Sequence, residues 1–85
     1  MTIEIYTTRT CPFCIRAKQL LDQKGASYTE IDVGADPALR DKMTKRAGKR
    51  SVPQIFVGTT HVGGCDDLYA LERSGKLDPL LKGAA

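Results

Sequence analysis

The stretch Ile3-Glu4-Ile5-Tyr6-Thr7-Thr8-Arg9-Thr10-Cys11-Pro12-Phe13-Cys14 decides the fold. Its first five residues alternate and are rich in β-branched and aromatic side chains, which predicts a strand over Ile3–Thr7. Thr8-Arg9-Thr10 is a short loop. A helix then follows from Cys11 or Pro12 to Lys24, because Pro12 suits a first turn whose amides have no partner. Phe13, Ala17, Leu20 and Leu21 form its expected apolar stripe, and Gly25 ends it. Two thiols three residues apart therefore stand where a strand hands over to a helix.

Downstream, Ser27–Val33 alternates and predicts a second strand. Asp36-Pro37 opens a second helix through Ala47, with Leu39, Met43 and Ala47 four apart, and Gly48 closes it. Pro53–Val57 is the expected third strand, Gly58-Thr59-Thr60 a turn, and His61-Val62 a short fourth strand. Gly63-Gly64 breaks the chain before a helix from about Asp66 to Ser74, with Leu68 and Leu71 buried. Asp78-Pro79 is expected to cap a last short turn ending at Leu81. The order β-α-β-α-β-β-α makes the first two strands parallel through a right-handed crossover and the last two a hairpin. The fold class is α/β: a four-stranded mixed sheet flanked by three or more helices.

Eighty-five residues are room for one small domain, taken as 1–85. A chain this short buries only roughly 60–65% of its unfolded surface, so an active site should be shallow. Thirteen Lys+Arg against ten Asp+Glu leave a formal charge of +3, too little to argue for nucleic acid. No basic stripe with interleaved aromatic platforms appears. The run Lys45-Arg46-Ala47-Gly48-Lys49-Arg50 is either a solvated helix end or a patch for small anions. No apolar stretch approaches a membrane span, and Met1–Tyr6 lacks the basic start and long apolar middle of a signal peptide. A cytoplasmic location is expected, where disulfides are usually transient and catalytic. Three cysteines, an odd number, argue against a static disulfide framework.

Cys11-Pro12-Phe13-Cys14 carries the chemistry. Cys11 falls at a helix N-terminus, under unpaired N–H groups and the positive end of the dipole, which favour a thiolate. The thiolate is the form that attacks disulfides. Cys14, one turn further in, is placed to attack a mixed disulfide held on Cys11. Phe13 offers an apolar exposed ring beside the reactive sulfur. The competing reading is one structural zinc held by Cys11, Cys14, His61 and Cys65. Zinc domains of this size usually replace a core with the metal, whereas this chain has periodic elements enough to build one. No metal is expected.

Cys11-Pro12-Phe13-Cys14, then Ser51-Val52-Pro53, then Gly63-Gly64-Cys65-Asp66-Asp67-Leu68 resemble the glutaredoxin family, the bacterial dithiol type above all. The resemblance spans about Ile3 to Leu81. It implies a thioredoxin-like fold and glutathione-dependent thiol–disulfide exchange, with Cys11 as nucleophile and Cys14 as resolving cysteine. It matches Pro53 to a cis-proline beside the redox pair; the residues alone would make it a strand-initiating proline. It matches Val52 to the residue whose backbone pairs with the cysteinyl part of glutathione, a form of strand addition.

Gly63-Gly64 would let a ligand approach the backbone. Amides at the following helix start can hold the γ-glutamyl carboxylate, with Gly64 and Cys65 at that start and Asp66 pairing the ammonium. Asp66 and Asp67 can equally cap the helix, and the two roles can coexist. Cys65 either lies near the glutathione site or is an ordinary small residue at a helix start. Many glutaredoxins carry a lysine three residues before the nucleophile; here Thr8 stands there, with Arg9 adjacent. Arg9 and Arg40 are the candidate cations for glutathione's carboxylates, and Phe13 completes the expected site. The expected substrates are disulfide-containing and glutathionylated proteins. No tightly bound cofactor, nucleic acid or membrane is expected, and the chain should act as a monomer. His61 is taken as a surface or packing residue.

Overall fold

The computed structural model describes residues 2–84; the expected domain limits, residues 1 and 85, lie outside the described residues. The elements run β1 (Ile3–Thr7), α1 (Pro12–Gln23), β2 (Thr29–Asp32), α2 (Pro37–Ala47), β3 (Gln54–Val57), β4 (Thr60–Gly63), α3 (Cys65–Arg73) and α4 (Leu77–Ala84). The four strands form one sheet in the order β2-β1-β3-β4. β1 pairs parallel with β2, from Glu4 opposite Thr29 to Thr7 opposite Asp32. β3 runs antiparallel to β1, with Ile5 opposite Ile55, and β4 returns beside β3 as a hairpin. This is the mixed α/β sheet expected from the sequence, and its architecture is the thioredoxin-like fold.

Strand alternation sorts the core into two layers. Ile3, Ile5, Ile55 and Val57 point to one face, where Ala17, Leu20 and Leu21 of α1, Leu68 of α3 and Leu77 and Leu81 of α4 cover them. Tyr6 and Phe56 point to the other, under Met43 of α2 and beside Val33. Truncating a fully buried member such as Leu21 or Leu68 to Ala costs about 2–5 kcal/mol, the transfer term plus the cavity. Lys24 Nζ ties the end of α1 to Glu72 at 2.7 Å and Asp78 at 2.9 Å.

Beyond shifts of one residue at element ends, four local expectations change. The buried stripe of α1 is Cys14, Ala17, Leu20 and Leu21, while Phe13 is 53% exposed. Cys14 and Ala17, three apart, share the face that meets the sheet, and Phe13 is rotated off it. β2 begins at Thr29, not Ser27, because α1 unwinds through Gly25 (φ 68°) and Ala26 N–H still bonds Leu21 O at 3.0 Å. Leu71 is half-buried rather than buried. The last turn is a full helix from Leu77 to Ala84, so Asp78 lies inside its first turn instead of capping it. Asp78 accepts from Lys24, and Pro79 is tolerated because first-turn amides need no intrahelical partner.

Candidate active site

The β1–α1 junction sets the first wall of the site. Cys11 is the N-cap of α1, extended at φ −95° and ψ 105°, with Pro12 as the first helical residue. Its Sγ accepts the Cys14 N–H at 3.1 Å, so the sulfur does the work an Asp or Ser oxygen does at other helix starts. No acidic side chain occupies the first turn to compete for those amides. Cys11 Sγ also lies 3.8 Å from Val52 O, its acceptor while protonated. Cys11 is 9% exposed and Cys14 1%. Burial, then the hydrogen bond with Cys11, pushes the Cys14 thiol up to about 12. Cys14 is therefore held as a thiol, one turn behind the Cys11 sulfur.

The second wall is the segment entering β3, where the Val52–Pro53 peptide is cis. The third is the start of α3. Gly64 is its N-cap and has no side chain to close it, but the Asp67 carboxylate reaches back to accept Gly64 N–H at 3.0 Å. Gly63 sits at φ 113°, and a Cβ there would collide with that carboxylate, so both features require glycine. Capping thus falls to Asp67, while Asp66 is exposed at the groove. Cys65, the first residue of α3, is buried, and desolvation pushes its thiol up.

These walls enclose a groove of about 220 Å³ lined by Phe13, Val52, Pro53, Gly64, Cys65 and Asp66, with Lys49, Ser51, Gln54 and Asp67. Six of the eight residues singled out for a ligand beside the thiols come together there. Arg9 and Arg40 do not line it. Arg9 lies 3.6 Å from Asp32 with its side chain almost wholly in solvent. Arg40 donates from Nη2 to Arg50 O at 2.9 Å and from Nε at 3.3 Å, which steadies the loop before Ser51. The basic run divides. Arg46 pairs with Glu4 at 2.9 Å and lies over Phe56, Arg50 faces Asp41, and Lys49 lines the groove. Lys49 and Gln54 were not legible as site residues. The one reads as part of a solvated helix end. The other gives a faint signal, a polar residue within an apolar strand.

A larger depression of about 840 Å³ lies at the opposite end of α1, between Lys24, Tyr28 and Lys82, and no thiol lines it. Among the described residues no group of three His, Cys, Asp or Glu is arranged to hold a metal. His61 Nε2 faces Gln54 Oε1 at 2.8 Å, away from the arrangement a zinc site would need. Among the described residues no helix is long and apolar enough to cross a membrane.

A thioredoxin-like sheet with a Cys-Pro-Phe-Cys helix start, one sulfur at the cap and one buried behind it, defines a thiol–disulfide oxidoreductase. The sequence model of the glutaredoxin family matches residues 3–62. The chain is 60% identical over 79 residues to a glutaredoxin of Pseudomonas aeruginosa, covering 93% of this chain and 94% of that one. It is 56% identical over 80 residues to glutaredoxin 3 of Escherichia coli, covering 94% and 96%. Among solved structures it is similar to a glutaredoxin of Brucella melitensis at TM-score 0.87 and 56% identity, covering all of this chain and 92% of that one. It is also similar to a buckwheat glutaredoxin–glutathione complex at TM-score 0.90 and 34% identity, covering 96% and 77%. The chain belongs to the glutaredoxin family.

Proposed function

We propose that this chain reduces disulfides, and mixed disulfides between proteins and glutathione, with glutathione as the reducing co-substrate. The observation that carries the reading is the cap geometry. Cys11 Sγ sits 3.1 Å from the Cys14 amide and 3.8 Å from the carbonyl of Val52, a residue that lines the groove with Pro53, Gly64, Cys65 and Asp66. The similarity to a glutaredoxin solved with glutathione supports the choice of co-substrate.

With a glutathionylated protein, Cys11 thiolate attacks the glutathione sulfur. The Cys11–glutathione bond forms, the mixed disulfide breaks, and the protein leaves as a thiolate that takes up a proton. A second glutathione thiolate then attacks the adduct, giving glutathione disulfide and regenerating Cys11. With a protein disulfide, Cys11 attacks one sulfur, and Cys14 loses its proton as it attacks the mixed disulfide. The Cys11–Cys14 bond forms, the substrate leaves as a dithiol, and two glutathione molecules reduce the bridge.

In the groove, extended glutathione lies along Val52 by strand addition. Its γ-glutamyl carboxylate meets the amides at the start of α3, and Asp66 pairs with its ammonium. Phe13 covers the side of the reacting sulfurs and Lys49 balances a carboxylate. Arg9 and Arg40 act from outside the groove, as a long-range field and through the loop before Ser51. The chain works as a monomer of one domain in the cytosol, where thiols stay reduced.

A glutathione-coupled assay on a small mixed disulfide tests the reading. Turnover that saturates with glutathione is expected. No turnover with glutathione, but reduction by a thioredoxin reductase, would replace it with a directly reduced redoxin.

A further inference from the structure

Gln54 is a buried polar residue that the reaction above leaves unused. Its side chain is 2% exposed, in a strand whose other members Ile55, Phe56 and Val57 are all apolar. A buried carboxamide must find partners at both ends. Nε2 donates to Ser51 O at 2.9 Å and stands 3.3 Å from Ser51 Oγ. Oε1 faces His61 Nε2 at 2.8 Å. A carbonyl oxygen only accepts, so the NH₂ group must face Ser51 and the amide oxygen must face His61. His61 Nε2 therefore carries a hydrogen. The neutral Nε2–H tautomer and the imidazolium both donate there, so the link holds in either charge state of the ring.

His61 reaches this position through an irregularity in the hairpin. Ile55 is opposite Gly63, yet Phe56 is opposite His61, which leaves Val62 as the extra residue of a bulge. The bulge turns His61 onto the face shared by Gln54 and Phe56. The imidazole stacks on Phe56 with centroids 4.7 Å apart and planes 22° apart. Phe56 is itself fixed against Tyr6, edge to face at 6.0 Å.

We propose that Gln54, braced by His61, is a positioning residue for the groove. Its carboxamide holds the Ser51 carbonyl, and through it the Ser51–Val52 backbone whose Val52 carbonyl lies against Cys11 Sγ. That backbone is the one along which the co-substrate lies, so loosening it weakens binding without touching either thiol. The part that names the co-substrate rests on the proposed function; the ordering of Ser51–Val52 does not.

Two variants separate the ends of the link. Gln54→Glu keeps the size and the acceptor toward His61 but turns a carboxylate oxygen against Ser51 O. His61→Phe keeps the ring on Phe56 and removes only the donor. With glutathione varied and a glutathionylated peptide saturating, Gln54→Glu should raise the glutathione KM about tenfold, and His61→Phe about threefold. In both, kcat should stay within about twofold. Amide ¹⁵N relaxation should show lost order at Ser51 and Val52, with Ile55 and Phe56 unchanged. A KM equal to that of the unsubstituted chain, with Ser51 and Val52 still ordered, would overturn the proposal. So would a lowered unfolding midpoint with no change in KM, which would make the link structural only. An unsubstituted chain that does not turn over with glutathione would contradict the proposed function instead, and relaxation at Ser51 and Val52 then decides the positioning role alone.

Discussion

The helices α1 and α3 both begin at the groove, and both carry a cysteine at their start, yet the two starts are built differently. At α1 the cysteine is the cap itself, and its sulfur accepts a helix amide with no acid nearby. At α3 the cysteine is one residue further on and buried, the cap is a glycine, and two aspartates fill the first turn. Asp67 takes the Gly64 amide that a sulfur or a ligand could have used, and burial pushes Cys65 up. The two starts thus differ in what takes the cap: at α1 a sulfur that meets no carboxylate, at α3 an aspartate.

The largest expected effect separates the cysteines. Cys11→Ser should abolish reduction of every disulfide substrate, whereas Cys65→Ser should keep activity within about twofold, because only a thiolate presented to substrate attacks. Comparable losses in both would dissolve the contrast between the two starts. Cys14→Ser sharpens it. That variant should keep deglutathionylation, since free glutathione can resolve the Cys11 adduct. It should lose at least about a hundredfold on a protein disulfide, where the tethered thiol supplies an effective concentration that solution cannot match. Parallel assays on a glutathionylated peptide and a protein disulfide read both arms.

The aspartates give the next effect. Asp66→Ala should raise the glutathione KM about tenfold, for a lost charge-assisted contact. Asp67→Ala should lower stability by about 1 kcal/mol, the worth of a helix cap. Comparing KM with the denaturation midpoint in each variant checks that the roles are divided and not shared.

Two titrating groups add pH effects. Cys14 is raised from 9.0 to about 12 in the folded chain. The unfolded thiol therefore ionises first as pH rises. Stability from keeping Cys14 neutral is complete below 9.0 and lost progressively toward about 12. Urea midpoints at about pH 8 and about pH 10.5 should fall further apart in the unsubstituted chain than in Cys14→Ala. Glu30 has the opposite sign. The Thr7 hydroxyl at 2.7 Å and Lys18 Nζ at 3.0 Å hold its carboxyl below 4.5. That stability is present above 4.5 and fades as pH falls, and Glu30→Gln should remove it. The pair is partly exposed, so the change should be no more than about 0.5–1 kcal/mol.

Much of this was legible in the sequence, for reasons that differ by element. Strand β1, the Pro12 helix start and the Asp36-Pro37 helix start announce themselves through local rules of alternation and capping, and each lies where those rules put it. The parallel β1–β2 pairing follows from a helix-length connection. The start of α4 did not follow, because Asp78-Pro79 looks like a cap and only the tertiary pair with Lys24 shows what Asp78 does. Phe13, expected both in the apolar stripe and as an exposed ring, is the exposed ring, because Cys14 takes the stripe position beside Ala17. At the site, the pairing of Cys11 with Cys14 follows from their spacing, and Val52, Pro53, Gly64, Cys65 and Asp66, named from resemblance, line one groove. Arg9 and Arg40 were chosen for charge, and charge carries no direction; neither lines the groove, and both remain proposals for the ligand. Gln54 escaped notice because its partners, Ser51 and His61, meet only after a bulge has reset the hairpin.

One sulfur, at the cap of α1, should take glutathione. Incubating the Cys14→Ser chain with glutathione disulfide and mapping the adduct by peptide mass spectrometry checks this. With Cys14 removed, the first adduct cannot be resolved internally. The expected product carries one glutathione, on the peptide that contains Cys11, with Cys65 unmodified. An adduct on Cys65, or none on Cys11 while the chain remains folded, would overturn the assignment of Cys11.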